Sequence, residues 1–478
     1  MVVERSAGPD TWEATGGPFS RYERTLRPRA DGTIDEAIDC ALAVPFWWIL
    51  FWLPMRHALR HRPAPGRRPW WAPADPLDAR AATVLGLLAS LALVEGYVAS
   101  LLIQTITFAA QELDADRGDQ GIALAIVRGG VVVAIVVSAR ADRVGRRRLL
   151  AVATACGCIS AAAGALAPNL AVLTATQLVA TGCVGATALL IGITSAEEMP
   201  AGSRAYGYSL ITMAGGLGAG VCVWVLPAAD IDQRAWRVIY LVPLAGLAVV
   251  AAVARRLPES RRFARAHVEV SIAGHGRRLT LLAGAAFLGA IFVAPAYQLQ
   301  NDFLREQQGF SAARISLFTV VTGTPAALGI VLGGRLADVR GRRVVGAVGL
   351  VGGAAGIVAG YASTGWPLWA WTTLGAVFAG LVVPALGVYR PELFPTGLRG
   401  RASGIIQGVA LAGSATGLVV VGHLVDRQGD YFRPMALVAL GPLAAAIVVL
   451  AAFPETARRE LEELNPEDAP LVAARSSE

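Results

Sequence analysis

The sequence predicts an all-α polytopic membrane protein, with twelve transmembrane helices in two six-helix bundles related by pseudo-two-fold symmetry. Three observations predict it. Apolar residues make up 55% of the chain and charged residues 16%, against roughly a quarter charged in an ordinary soluble protein. Nearly uncharged runs of about twenty residues recur, each long enough as a helix to cross the roughly 30 Å hydrocarbon core of a bilayer. The third observation is a repeat: Ser138 to Arg148, SARADRVGRRR, is echoed by Gly334 to Arg343, GRLADVRGRR. At almost the same offset, Glu197, Pro200 and Arg204 answer to Glu392, Pro395 and Arg399, and Pro258-Glu259-Ser260 answers to Pro454-Glu455-Thr456. A tandem duplication constrains the fold more than any single motif.

The first region, 1–79, opens with a polar stretch over residues 1–35 that carries Gly-Pro pairs and mixed charge and reads as a mobile tail. No apolar core follows the first residues, so no cleavable signal peptide is expected. Within the region, 38–57 reads as a Trp-rich helix, interfacial or membrane-inserted. It holds Trp47, Trp48 and Trp52, is interrupted by Pro45 and Pro54, and leads into Arg56, His57, Arg60, His61 and Arg62. Indole rings favour the interfacial belt and arginines the cytoplasmic face.

From Ala81 the rhythm is regular, with span cores at 82–109, 120–138, 149–167, 170–193, 205–227, 236–254, 279–300, 314–333, 344–362, 367–389, 402–424 and 434–453. They form an N-terminal bundle, 80–257, and a C-terminal bundle, 278–454, joined by a linker at 258–277 and followed by a tail at 455–478. Turns on one side carry Arg140, Arg143, Arg146 to Arg148, Arg204, Arg335 to Arg343, Arg390 and Arg399; turns on the other hold Glu112, Asp114, Asp116, Asp119, Asp230 and Asp232. The positive-inside rule makes the first set, the linker and both termini cytoplasmic, in a multi-pass protein of the cell membrane. The net charge of +7 is therefore topological: the basic residues are all arginine, they cluster in short turns, and no nucleic-acid partner is implied. Glycine runs such as Gly215-Gly216-Leu217-Gly218-Ala219-Gly220 follow no strand, so they read as helix-packing surfaces and not as phosphate loops. Cys40, Cys156, Cys158, Cys183 and Cys222 form no metal-like or CxxC pattern, and no metal or other cofactor is expected.

Twelve spans in two similar halves, with Asp-x-x-Gly-Arg-Arg in the second-to-third turn of each half, resemble the major facilitator superfamily. Pro258-Glu259-Ser260-Arg261-Arg262-Phe263 is similar to the motif that follows the sixth span in its sugar-porter and metabolite:proton symporter branch. Pro454-Glu455-Thr456 with Leu461-Glu462-Glu463-Leu464, and Pro384, Tyr389 and Glu392-Leu393-Phe394-Pro395, resemble that branch further on. The resemblance implies alternating access of a small solute. It also implies a cytoplasmic gate of Asp142, Arg146, Glu197, Arg204, Glu259, Asp338, Arg342, Glu392, Arg399 and Glu455 that holds one conformation of the halves. The chain departs from the branch at Ser138, where the first turn usually has glycine, at Gln177, where sugar porters place an arginine, and at Gly387, where they carry a tryptophan against the sugar.

Asp142 and Asp338 lie where a turn leads into the next helix, whose unpaired amides favour a carboxylate. The neighbouring arginines can hold Glu197, Glu392, Glu259 and Glu455 in forked hydrogen bonds. Glu95, in LALVEGYVAS, is the carboxylate deep in a span. Such a group marks a pathway or proton site, because a carboxyl group withdrawn from water holds its proton more tightly. It is the expected proton-coupling residue. Arg128 is the arginine deep in a span, and is read either as an ion-pair partner of Glu95 or as a fork for a substrate carboxylate. Counting helical rise places Arg128 roughly 12 Å and Glu95 roughly 20 Å from the outer ends of their spans. Gln177, Tyr297, Gln298, Asn301 and Tyr389 complete the candidate substrate-binding set, since transporter sites lie near the midplane between repeats.

These readings point to a proton-coupled secondary transporter of a small polar organic solute, acting as a monomer, with proton-driven export of xenobiotics as the alternative and an uncoupled facilitator behind it. An enzyme is not expected: the spans hold no metal cluster and no nucleophile beside a base, and no GxxxxGK[ST] loop is present to bind ATP.

Overall fold

In the computed structural model the described residues are 2–31, 33–61, 69, 71–263 and 271–468. Arg62 of the basic run, residues 264–270 of the expected linker and residues 469–478 of the expected tail lie outside them. Among the described residues, twelve helices are long and apolar enough to cross a membrane: span 1 Ala79–Glu112, span 2 Gly118–Val144, span 3 Arg146–Leu166, span 4 Leu170–Glu198, span 5 Ala201–Ala229 and span 6 Trp236–Arg256 in the first half; span 7 Ile272–Gln298, span 8 Ala313–Arg340, span 9 Arg342–Tyr361, span 10 Gly365–Glu392, span 11 Arg399–Gln428 and span 12 Phe432–Ala452 in the second. Local chemistry sets their ends. Asp78 caps span 1 by accepting from the Ala81 N–H at 2.6 Å, Asn169 caps span 4 through Val172 at 2.9 Å, and Asp116 and Asp119 form a reciprocal box at the start of span 2.

Glycines set how closely the spans pack. A Cβ at Gly96 would lie 1.9 Å from the Gly215 carbonyl oxygen, and one at Gly218 would lie 1.9 Å from that of Leu93, so spans 1 and 5 cross backbone to backbone. Spans 7 and 11 repeat the crossing, with Gly413 against Phe287 and Gly417 against Ile291. Small residues permit this approach in lipid. Between the halves, Gly400 and Gly404 of span 11 abut Ser138 and Ile135 of span 2, and Gly334 of span 8 abuts Ala205 and Ser209 of span 5.

Residues 2–31 and 33–42 correct the expectation of a mobile tail over residues 1–35. They form a four-stranded antiparallel meander, β1 Val3–Gly8, β2 Thr11–Gly16, β3 Phe19–Pro28 and β4 Ile34–Leu42, in that spatial order. Gly-Pro pairs that suggest disorder lie in its turns, with Gly17 at φ +129° between β2 and β3. The mixed charges pair across strands: Arg24 with Glu4 at 2.7 Å and with Glu36 at 3.5 Å, and Arg21 with Asp39. One face is apolar, and Phe19 and Tyr22 pack on Met55.

The tryptophan-rich helix is likewise shifted. It runs Trp48–Arg60, because residues 38–42 complete β4. The chain climbs along span 1 from Ala43, whose carbonyl accepts from Thr83 at 3.0 Å, to Trp47, whose indole N–H donates to Ser90 at 2.9 Å. The helix then turns back, and Met55 meets the sheet.

Candidate functional site

Two buried ion clusters close the arginine-rich face. Each is built from the Asp-x-x-Gly-Arg turn. Gly145 and Gly341 end spans 2 and 8 at φ +104° and +102°, where a Cβ is disfavoured. A Cβ at either position would also lie 2.7 Å from a carboxylate oxygen, that of Glu259 or Glu455. Those glutamates accept from the first backbone N–H groups of the next spans. Glu259 receives Arg146 at 2.9 Å and Arg147 at 3.3 Å; Glu455 receives Arg342 at 3.0 Å and Arg343 at 3.2 Å. A helix N-terminus holds them, not the forked guanidinium expected from the sequence.

Asp142 and Asp338 also sit at helix N-termini, but those of the opposite half. Asp142 accepts from Gly400 at 3.0 Å and Arg401 at 3.1 Å, at the start of span 11. Asp338 accepts from Ala205 at 3.2 Å and Tyr206 at 2.8 Å, at the start of span 5. The expectation of a helix start is right in kind and wrong in partner, since each Asp lies in the last turn of its own span and points across the interface.

Around each Asp the charges balance. In one cluster Arg146 lies 3.6 Å from Asp142 and 3.3 Å from Glu197, and Arg399 of the second half meets Glu197 at 2.8 Å. In the other, Arg342 bonds Asp338 at 3.2 Å and also Glu392, and Arg204 of the first half lies 3.5 Å from Glu392. The four arginines are at most 1% exposed. Buried charges persist only when paired, and removing one partner of such a pair costs about 3–5 kcal/mol.

The chain's end adds links that no motif announces: Asp468 to Arg399 at 2.8 Å and Glu460 to Arg204 at 3.3 Å. The N-terminal region adds a strap. Asp75 accepts from the Gly202 N–H at 2.7 Å, at the start of span 5. Arg335, near the end of span 8, donates to the carbonyls of Pro69 at 2.6 Å and Ala72 at 2.9 Å.

At the opposite end, one hydrogen bond joins the halves among the described residues, from Arg128 to Gln298 at 3.0 Å. Arg128 is therefore not paired with Glu95. Glu95 lies against the crossing of spans 1 and 5, with its carboxylate 3.6 Å from where a Gly215 Cβ would be, and makes no hydrogen bond or ion pair with any described residue.

The other expected binding residues divide. Tyr297 is half-exposed and Asn301 exposed. Gln177 is buried inside the first half, donating to the Ala161 carbonyl at 3.3 Å. Tyr389 is also buried, with its hydroxyl on the Pro454 carbonyl at 3.0 Å and its ring on Phe453. These last two face their own bundles, a choice of helix face that sequence position does not reveal.

The residue after Tyr389 turns to span 11 instead. Arg390 donates to Gln407 of span 11 at 2.8 Å, eight residues along that span from Arg399, or about 12 Å at helical rise. Tyr208 of span 5 stands within electrostatic reach of both Arg390 and Glu95. Its ring occupies the space beside Gly387, where a Cβ would lie 2.6 Å away. Arg390 reads in the sequence as a turn arginine, because it stands next to Pro391 at the end of span 10.

The family profile of the Major Facilitator Superfamily matches residues 85–300 and 279–477. Puromycin resistance protein pur8 of Streptomyces alboniger is 38% identical over 130 residues, which is 25% of this chain and 26% of that protein, so the match spans about a quarter of the relative's length. Among solved structures, the proton:xylose symporter XylE bound to 6-bromo-6-deoxy-D-glucose superposes with a TM-score of 0.70 at 16% identity, over 81% of this chain and 99% of that one. The human organic anion transporter MFSD10 superposes with a TM-score of 0.65 at 14% identity, over 77% and 98%.

Proposed function

This chain belongs to the major facilitator superfamily, and we propose that within it the protein is a proton-coupled secondary transporter of a small polar organic solute, working by alternating access. The observation that carries the reading is Glu95: a carboxylate in the middle of span 1, at a backbone-close helix crossing, without a partner among the described residues. A structural ion pair would supply that partner. A carboxyl group that must take and give up a proton during a cycle has reason to lack one.

The two ion clusters form the cytoplasmic gate, closed in this conformation, and the solute enters from the far side. Arg390, Gln407 and Tyr208 form the floor above the gate on which it rests. A guanidinium there suits a solute with a carboxylate or another anionic group. Gly387 and Tyr208 together leave no room for the tryptophan of sugar porters, so the solute is not a hexose held against an indole. The protein acts as a monomeric carrier in the cell membrane, with both ends in the cytoplasm.

Export is a second reading, favoured by the match to the puromycin resistance protein. Purified protein in liposomes, with a pH jump and pools of sugars, organic acids and cationic drugs, separates the two. Solute-dependent proton flux that vanishes in Glu95→Gln supports the proposal, and the responding pool identifies the class. Solute equilibration without proton movement refutes coupling and makes the chain a facilitator.

A further inference from the structure

Span 7 begins, at the arginine-rich face, beside a cavity of about 430 Å³ that lies between its first turns and the chain just past spans 10 and 12. His275, Arg277 and Arg278 line it. One helical turn further along span 7, Leu281 and Leu282 line it too, together with Phe453 from beyond span 12. The cavity is therefore cationic toward the start of the span and apolar further along it.

The protein leaves most of that positive charge without a counter-charge. Arg277 is exposed and makes no hydrogen bond or ion pair with any described residue. Arg278 donates only to neutral acceptors: the Leu393 carbonyl at 3.1 Å, the Asn465 side-chain oxygen at 3.0 Å and the Leu464 carbonyl at 3.3 Å. Those bonds anchor its guanidinium and leave its Nε–H without an acceptor among the described residues. His275 is 8% exposed; its Nε2 lies 3.6 Å from Glu467, and its Nδ1 has no hydrogen-bond partner. Among the described residues Glu467 is the one carboxylate within ion-pair distance of the three. A buried polar atom without a partner calls for an explanation such as a bound group. Guanidinium groups hold phosphate in forked hydrogen bonds, and a phosphate has more acceptor oxygens to share between two arginines than a carboxylate has. The leucines one turn away suit an esterified phosphate, whose organic part leaves water with it. Basic pockets between membrane-spanning helices take head groups of this kind.

We propose that this cavity binds a phosphate ester, its phosphate on Arg277 and Arg278, supplied either by an anionic phospholipid head group or by a soluble organic phosphate.

The test is native mass spectrometry of the delipidated full chain with dioleoyl-phosphatidylglycerol, dioleoyl-phosphatidylcholine or glycerol 3-phosphate added. Phosphatidylcholine carries the same phosphate beside a compensating cation. One phosphatidylglycerol retained per chain, about tenfold more tightly than phosphatidylcholine, assigns the lipid source; one glycerol 3-phosphate retained per chain assigns the soluble one. In either case Arg277→Ala should lower retention about tenfold, and Arg278→Ala should lower it as well. Arg277→Ala removes no contact with a described residue, so this arm stands even where Arg278→Ala does not fold. Arg148→Ala, an exposed arginine of the same face outside the cavity, should leave retention unchanged. Phosphatidylglycerol held no better than phosphatidylcholine with no glycerol 3-phosphate bound, retention indifferent to Arg277→Ala, or an equal loss in Arg148→Ala would each overturn the proposal.

Discussion

Asp142→Asn tests the proposed gate at its least disruptive point, because the side chain keeps its shape and loses only its charge. In the structure Asp142 accepts from Gly400 at 3.0 Å and Arg401 at 3.1 Å and shares its charge with Arg146 at 3.6 Å. Asparagine can present its oxygen to one N–H, and its amide group then faces the other. A hydrogen bond to a charged group contributes about 1.5–3 kcal/mol and a neutral one about 1. One bond is lost and one weakened, and Arg146 loses one of its two carboxylate partners, so the state seen here loses about 2–3 kcal/mol. In the open state these groups regain water, so the loss falls on one side of the equilibrium. At 1.4 kcal/mol per tenfold, the ratio of inward-open to closed molecules rises roughly 30- to 150-fold. Single-molecule fluorescence transfer between dyes at Val144 and Val339, both exposed at the gate face, reads that ratio once Cys40 and Cys156 are replaced by serine. Asp338→Asn should give a shift of similar size, since it removes the equivalent contacts to Ala205 and Tyr206. A distance distribution identical to that of unaltered protein would refute the view that these carboxylates hold the halves together.

Three further outcomes follow from the geometry. Gly387→Trp should lower thermal stability by clashing with the Tyr208 ring, and adding Tyr208→Ala should restore it, both read by thermal shift; unchanged stability of Gly387→Trp would contradict the contact. Arg335→Ala, which removes the strap's bonds to Pro69 and Ala72, should favour the inward-open state by about 1–2 kcal/mol in the same fluorescence assay, and no change would leave the strap without a gating role. Gly96→Ala should unfold the crossing of spans 1 and 5, because its methyl group would stand 1.9 Å from the Gly215 carbonyl; normal expression and thermal stability would contradict the backbone contact.

Much of this architecture is legible locally. Hydropathy marks the twelve spans because a helix must satisfy its own backbone in lipid, and each expected core overlaps one observed helix, with ends that differ by up to seven residues. Gly145 and Gly341 announce their turns because their positive φ is a local demand. The duplication identifies which charged residues belong together, since the two clusters are copies of one another. The depth of Glu95 follows from its place in a long uncharged run.

Tertiary structure alone decided the partners. Asp142 finds its helix N-terminus in the other half, more than 250 residues away along the chain, a pairing that no local spacing encodes. Tyr389 and Arg390 are adjacent and share a span, yet one closes its own bundle against Pro454 and the other turns to Gln407; packing, not composition, chooses the face. The same holds at the N-terminus. There, polar strands pair their charges with one another and turn one apolar face to Met55, so a composition that suggests disorder folds because it has a surface to fold against.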